Sequence, residues 1–307
     1  MGTMRVTQNL MIDRVLSNLS KQSRRILNLQ DQLATGQRVN RPSDDPLATR
    51  RAIDARAEIA KYEQFLVNIS TTSPILLETE TAISTIVNVV QRAYELTLQG
   101  ASDTNGQPQR DQIALEINQL LESLLVESNH ITNGRYVFGG TRTLNPPFVA
   151  QYDANGEISA VTYEGNEKTF AIEILEGVTV PVSQIGSRLF TPTDPGTANI
   201  FQTLIDTRDN LRAGDTPALQ TRLEELGQSE DQLLMATARI GAVQNRIERV
   251  DANIRDYVIQ LETVLSDNID ADFAEVAINL NAQSNAFQAA LNAAARVIQP
   301  SLLDFIA

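Results

Sequence analysis

Apolar residues recur every three or four positions near both ends of this chain. Close to the start, Ile12, Val15, Leu19, Ile26, Leu29 and Leu33 fall on a heptad seam that Gln22 interrupts. Towards the end, Ile240, Val243, Ile247, Val250, Ile254, Tyr257, Leu261 and Val264 keep the same spacing. Such a seam puts an apolar stripe on one side of a helix, and the stripe must be buried against another helix. Residues 273–298 read as a further helical stretch. The chain is expected to associate with helices, its own or a neighbour's.

The first helix is predicted from about Thr7 to Thr35, with Gly36 free to take the left-handed conformation that ends helices. A polar connector over 37–46 finishes with Asp45 as N-cap and Pro46 at the first helical position. Helical periodicity then runs towards Gly100, although Pro74 is expected to kink or break it. Past that point Ile75, Thr79, Ile83, Ile86, Val90, Ala93 and Thr97 form a stripe. The next helix carries Ile113, Ile117, Leu120, Leu124 and Ile131 and closes at Asn133-Gly134.

Between Tyr136 and Phe190 the pattern changes to short alternating runs, at 159–163, 169–175 and 178–182. Residues 153–156 and Gly165-Asn166 read as hairpin turns. Helix resumes near Ile200 and pauses at 213–215. Thr216 then caps a helix that opens at Pro217 and continues to about Ser266, roughly 75 Å of rod. A rod of that length cannot fold against itself, so the two halves of the chain are expected to share one domain. The predicted fold is mainly α with a small β-rich insert. Its parts are a terminal coiled coil (1–45 with 269–307), a rod-like helical bundle (46–138 with 199–268) and an outer β-rich insert (139–198). The terminal part is expected to order only on assembly.

Composition narrows the function classes. Hydrophobic residues make up 42% and charged residues 21% of 307 positions, as in a folded protein. Aromatics are sparse at 5% and Trp is absent, which suits helix packing better than an aromatic-lined pocket. A formal net charge of −13 repels phosphate backbones and anionic membranes, so nucleic acid and membrane surfaces are not expected partners. No run approaches the ~20 apolar residues that span a bilayer. The basic-then-apolar pattern of a cleaved secretory signal is not seen near the start.

Catalytic chemistry finds few candidates. Cysteine is absent, which removes disulfides, thiolate metal sites and thiol nucleophiles. The one histidine, His130, has no Gly-x-Ser-x-Gly elbow and reads as a surface or capping residue. Ser43-Asp44-Asp45 reads as a capping turn ahead of Pro46. Residues 267–272 resemble a calcium loop but lack its glycine at position 6 and its glutamate at position 12, where Asn279 stands instead. Gly139-Gly140 fits no phosphate loop and is expected to hinge the insert. No enzyme activity, cofactor or metal is expected.

The terminal helices are the candidate functional surface. Ile12, Leu19, Ile26 and Leu33 at one end, with Phe273, Leu280, Phe287, Leu291, Ile298, Leu302 and Leu303 at the other, are the expected assembly residues. Apolar surface of that extent marks an interaction site when it is left uncovered.

Several segments also resemble a known family. Residues 5–8, the run 32–39, and Asn40 followed by Arg41-Pro42-Ser43-Asp44-Asp45-Pro46 are similar to the flagellin superfamily. The stretches 92–101, 134–141, 239–247 and 301–306 extend the likeness over most of the chain outside the insert. Within the superfamily the connector and the Tyr136-Val137-Phe138-Gly139-Gly140 turn resemble members of the hook–filament junction more than flagellin, whose connector usually reads Lys-Asp-Asp-Ala. The resemblance implies an extracellular structural subunit of the bacterial flagellum, exported through the flagellar apparatus without a cleaved signal. It implies a ring of about eleven copies between the first hook-associated protein and the flagellin filament. It further implies a platform for flagellin assembly and an export chaperone that holds the C-terminal helix. A bulk flagellin is the alternative within the superfamily. An acidic enzyme or a phage structural protein sharing only the coiled-coil pattern is the alternative outside it.

Overall fold

The computed structural model describes residues 2–102, 106–194 and 196–298. Seven helices run through the described residues: α1 (Gly2–Thr35), α2 (Pro46–Gly100), α3 (Gln107–Ser128), α4 (Gly186–Phe190), α5 (Ile200–Ala213), α6 (Thr216–Ile269) and α7 (Phe273–Ile298). The strands are β1 (Ile131–Thr132), β2 (Arg135–Tyr136), β3 (Phe148–Tyr152), β4 (Ile158–Tyr163), β5 (Ala171–Leu175) and β6 (Val178–Pro181), paired as three separate antiparallel hairpins. The expected fold class holds: long helices at both ends and a small β-rich region between them. The chain divides into two compact units, one of 1–61 with 256–307 and one of 62–255.

Local signals placed most helix ends. Asp45 accepts the Ala48 N–H at 3.0 Å, so α2 starts at Pro46 as the capping signature predicts. Gly36 ends α1 at φ +73°, a conformation that a side chain would strain. The cap of α6 is Asp215, whose carboxylate accepts the Ala218 N–H at 3.1 Å, and not Thr216. Residues 267–272 are a helix junction, with Asp272 capping α7 through the N–H groups of Ala274 and Glu275.

Pro74 neither breaks nor ends α2, so of the kink or break expected there the break does not occur. A proline in a helix interior strands one carbonyl and costs about 3 kcal/mol. Here the preceding turn is braced by its own hydroxyls. Ser70 and Thr71 donate to the Val67 carbonyl, Thr72 to Asn68 and Ser73 to Ile69, at 2.7–3.1 Å. Ile69, Thr72 and Leu76 are buried on either side of the proline, and burial of that face offsets the lost bond.

In the 62–255 unit, Ile83, Ile86, Val90, Ala93 and Thr97 form the buried face of α2, as predicted. The face of α3 is Ile113, Ile117, Leu121 and Leu124, and that helix ends at Ser128. Ile131, read as helical from the sequence, lies in β1 and is exposed. Asn133 and Gly134, both at positive φ, make the turn of the β1/β2 hairpin and do not close a helix.

Residues 153–156 do connect a hairpin, β3 to β4. Gly165-Asn166 does not: β5 pairs with β6 across Glu176-Gly177. Asn166 is instead a clasp. Its side-chain carbonyl accepts the N–H groups of Thr141 (3.0 Å) and Lys168 (3.1 Å), against Gly140, where a Cβ would collide with the Asn166 backbone.

An aromatic cluster is the centre of this unit. Phe148 lies 5.5 Å from Phe190, 5.3 Å from Phe201 and 5.2 Å from Tyr163, and Phe138 lies 5.0 Å from Phe190. Asn129 clamps the Phe148 backbone in both directions, donating to its carbonyl at 2.8 Å and accepting its N–H at 3.0 Å. Arg208 of α5 is buried and donates to Asn118 (3.0 Å) and to the Ile158 carbonyl (2.9 Å), which fixes β4 to α3 and α5. Arg212 forks onto Glu157 with two bonds of 2.6 Å. The Arg212 guanidinium, helped by Arg208, holds the Glu157 carboxyl below its ordinary range.

Candidate assembly surface

The unit of 1–61 with 256–307 carries the terminal helices, and its first contact is a reversal of the chain. The N–H groups of Arg38 and Val39 donate to the Ile269 carbonyl, and the Ala271 N–H donates to Gly36 at 2.9 Å. Gln37 and Asp270 form an antiparallel bridge. Arg38 adds a 2.7 Å bond to the Asn268 carbonyl and an ion pair with Asp45. Val39, Ala48, Ala52 and Ile269 are buried beneath, with Leu265 packed on them.

From this reversal α1 and α7 run side by side and antiparallel. Leu29 and Gln32 lie beside Asn279 and Gln283, and Val15 and Leu19 beside Ala290 and Ala294. The α1 seam is the predicted one: Ile12, Val15, Leu19, Gln22, Ile26, Leu29 and Leu33 are all half-buried while most of their neighbours are exposed. On α7 the inward residues are Val276, Leu280, Gln283, Phe287, Ala290 and Ala294, again in strict three–four alternation. Leu280 and Phe287 belong to this seam. Phe273 and Leu291 do not; they are 58% and 44% exposed. The Ile298 side chain, Leu302 and Leu303 lie outside the described residues.

On α7 the sequence reading missed the small and polar members of the seam. Alanines at 290 and 294 serve as seam residues, although a small side chain carries little hydropathic signal. Gln22 and Gln283 sit in the seam itself, and the Gln22 side-chain oxygen is buried without a hydrogen-bond partner among the described residues. Polar seam residues cost stability and fix register.

The seam of α6 also shifts. Ile240, Ile247 and Ile254 are buried as predicted, but Tyr257 and Val264 are exposed at 42% and 46%. The covered positions are Val258, Leu261 and Leu265. A straight helix drifts against a strict seven-residue repeat, and a four-residue step from 254 to 258 restores the packed face.

Among the described residues no group of three or more His, Cys, Asp or Glu side chains could hold a metal, and no helix is long and apolar enough to cross a membrane. His130 is partly covered, 3.4 Å from Glu78 and 3.6 Å from Glu127.

Known proteins agree with this architecture. The N-terminal helical region of bacterial flagellin matches residues 6–143, and the C-terminal helical region matches 223–306. Flagellar hook-associated protein 3 of Salmonella typhimurium is 24% identical over 93% of this chain and 94% of its own length. The protein of the same name from Escherichia coli is 24% identical over 94% and 96%. Among solved structures, the flagellar junction protein FlgL of Legionella pneumophila superposes with a TM-score of 0.59 at 16% identity, covering 72% of this chain and all of that one. The two matched regions hold the paired helices and leave out most of the β-rich insert, and the chain belongs to the bacterial flagellin family as a structural protein of the flagellum.

Proposed function

We propose that this chain is the subunit that joins the flagellar hook to the filament. The observation that carries the reading is the near end-to-end likeness to hook-associated protein 3, at 94% of that protein's length. On this reading about eleven copies form a ring, with the first hook-associated protein on one side and flagellin on the other. The ring is the platform on which flagellin assembles. The chain leaves the cell through the flagellar export apparatus, and a chaperone holds its C-terminal helix until then.

The working parts are the terminal coiled coil of 1–45 with 269–307, the helical segments 46–138 with 199–268, and the outward insert 139–198. Leu19, Ile26, Leu33, Leu280 and Phe287 act in assembly by holding α1 to α7, and Ile12 continues that seam. Phe273 and Leu291, together with Ile298, Leu302 and Leu303, add the apolar surface that neighbouring copies cover. Burial of apolar surface drives the association at about 25 cal/mol per Å².

Immunogold electron microscopy with antibody against residues 141–198 tests the reading. Label confined to a narrow band between hook and filament is the expected result. Label along the whole filament makes the chain a flagellin, and no label on flagella removes the reading altogether.

A further inference from the structure

One groove in the unit of 1–61 with 256–307 pairs an apolar floor with two uncommitted cations. It measures about 240 Å³ and is floored by Val39, Ala52 and Ile269, with Arg41 and Arg56 among the residues that line it. No Asp or Glu lines it. Among the described residues, neither guanidinium makes a hydrogen bond or an ion pair; Arg41 is engaged through its backbone alone, its N–H donating to the Asp44 carboxylate at 2.9 Å and its carbonyl accepting the Asp44 N–H at 2.9 Å. Arg38, three positions from Arg41, shows the contrast: it is taken up by Asp45 and the Asn268 carbonyl. An exposed arginine with an apolar neighbour is a ready partner for a carboxylate delivered with apolar side chains.

The same unit displays the complement. On α6, Val258, Leu261 and Leu265 face inward, at spacings that keep them on one side. At about 100° per residue, Asp256, Ile259, Thr263 and Asp267 centre on the opposite side of that helix. All four are exposed, Ile259 at 60%, and neither aspartate has a side-chain partner among the described residues. This face points away from the packing that carries the Arg41/Arg56 groove, so a copy cannot fill its own groove with it. Two different, complementary patches on one chain define a head-to-tail contact, the kind that closes a ring or continues a helix of subunits.

We propose that the groove between Arg41 and Arg56 receives the Asp256–Asp267 face of α6 from a second copy of this chain. Ile259 covers apolar floor, and the carboxylates meet the guanidiniums. The proposal rests on the reading that copies assemble in the flagellum, and it names the surfaces by which one copy meets the next.

The test uses the full chain in flagellated cells lacking the native protein. One variant carries R41E with R56E, a second carries D256R with D267R, and a third combines all four. Each double variant is expected to fall about tenfold in purified flagella, and the fourfold variant to recover, because the charges are exchanged and not removed. Normal incorporation of either double variant overturns the inference, and so does a fourfold variant as defective as its parents. Circular dichroism of each purified chain separates misfolding from lost contact.

A second readout avoids charge reversal. Since the chain has no cysteine, co-produced R56C and D267C chains can be joined only through those two positions. A mixed disulfide in flagella containing both supports the contact, and its absence overturns it. Wild-type protein missing from flagella defeats the proposed function instead, and the same cross-linking on concentrated purified chains then decides the contact.

Discussion

The cluster around Phe148 and the seam between α1 and α7 are both apolar contacts, yet they bury side chains to different depths. Phe138, Phe148, Phe190 and Phe201 are at most 2% exposed, and a clamping asparagine and a buried arginine hold the backbone around them. Along α1 every seam residue is only half-buried, and on α7 Leu280, Gln283, Phe287 and Ala290 are half-buried too. A cluster packed on all sides is stable without help. A two-helix seam keeps much of each helix face open, and that open face can meet another molecule. The difference predicts that the 62–255 unit holds its fold independently of the paired terminal helices, and on the proposed function it leaves association to the other unit.

Breaking the cluster gives the largest effect. Phe148→Ala is expected to cost about 3–5 kcal/mol and to lower the main thermal transition, because its three aromatic neighbours cannot close the cavity. Calorimetry of the full chain reads it. If the terminal helices melted with that transition, the two regions would not differ as argued here.

Phe287→Asp tests the other side. A carboxylate in the α1/α7 seam costs about 2–3 kcal/mol and separates those helices, while the transition of the 62–255 unit stays in place. Hydrogen exchange is expected to rise across α1 and α7 alone, and incorporation into flagella to be lost. Normal filaments from this variant would show that the seam is dispensable.

The polar lock between Glu157 and Arg212 gives a smaller, pH-dependent effect. Glu157 has a lowered pKa in the folded chain, mainly through the Arg212 bonds. Its contribution is therefore fully present above the unfolded glutamate pKa and is lost as pH falls through the lower folded value. Glu157→Gln is expected to remove about 1–2 kcal/mol at neutral pH and to flatten the acid limb of the stability curve. Urea titrations between pH 3 and pH 7, a range that brackets about the usual carboxylate pKa, check it. A variant with the same acid limb as the parent would locate that limb elsewhere.

The smallest change sharpens the comparison. Gln22→Leu removes an unpartnered buried oxygen and is expected to stabilise the α1/α7 pair by about 1 kcal/mol, with looser register. Slower exchange in α1, with no shift in the main transition, is the signature. An unchanged α1 would mean that Gln22 costs nothing where it stands.

The long helices and the seam of α1 were legible in the chain itself, because a helix advertises its buried face every three or four residues. Asp45-Pro46 and Gly36 mark ends for reasons confined to one turn of backbone. The sequence patterns of β4 to β6 were equally local, since alternation and turn residues need no distant partner, whereas β3 was not read from the chain. The pairing of the strands was not local, and Gly165-Asn166 looked like a hairpin turn because only the folded chain shows which strand lies across from which.

Tertiary structure decided what depends on partners. It kept α2 continuous through Pro74, because burial on either side outweighs one missing bond. It moved the α6 seam from Tyr257 and Val264 to Val258 and Leu265, and it set alanines into α7 where hydropathy pointed to Phe273 and Leu291. It also left the guanidiniums of Arg41 and Arg56 without a partner among the described residues, which no pattern of residues along the chain reveals. Periodicity says that a face is apolar. Only the packed neighbour says which of its residues are covered and which remain to bind.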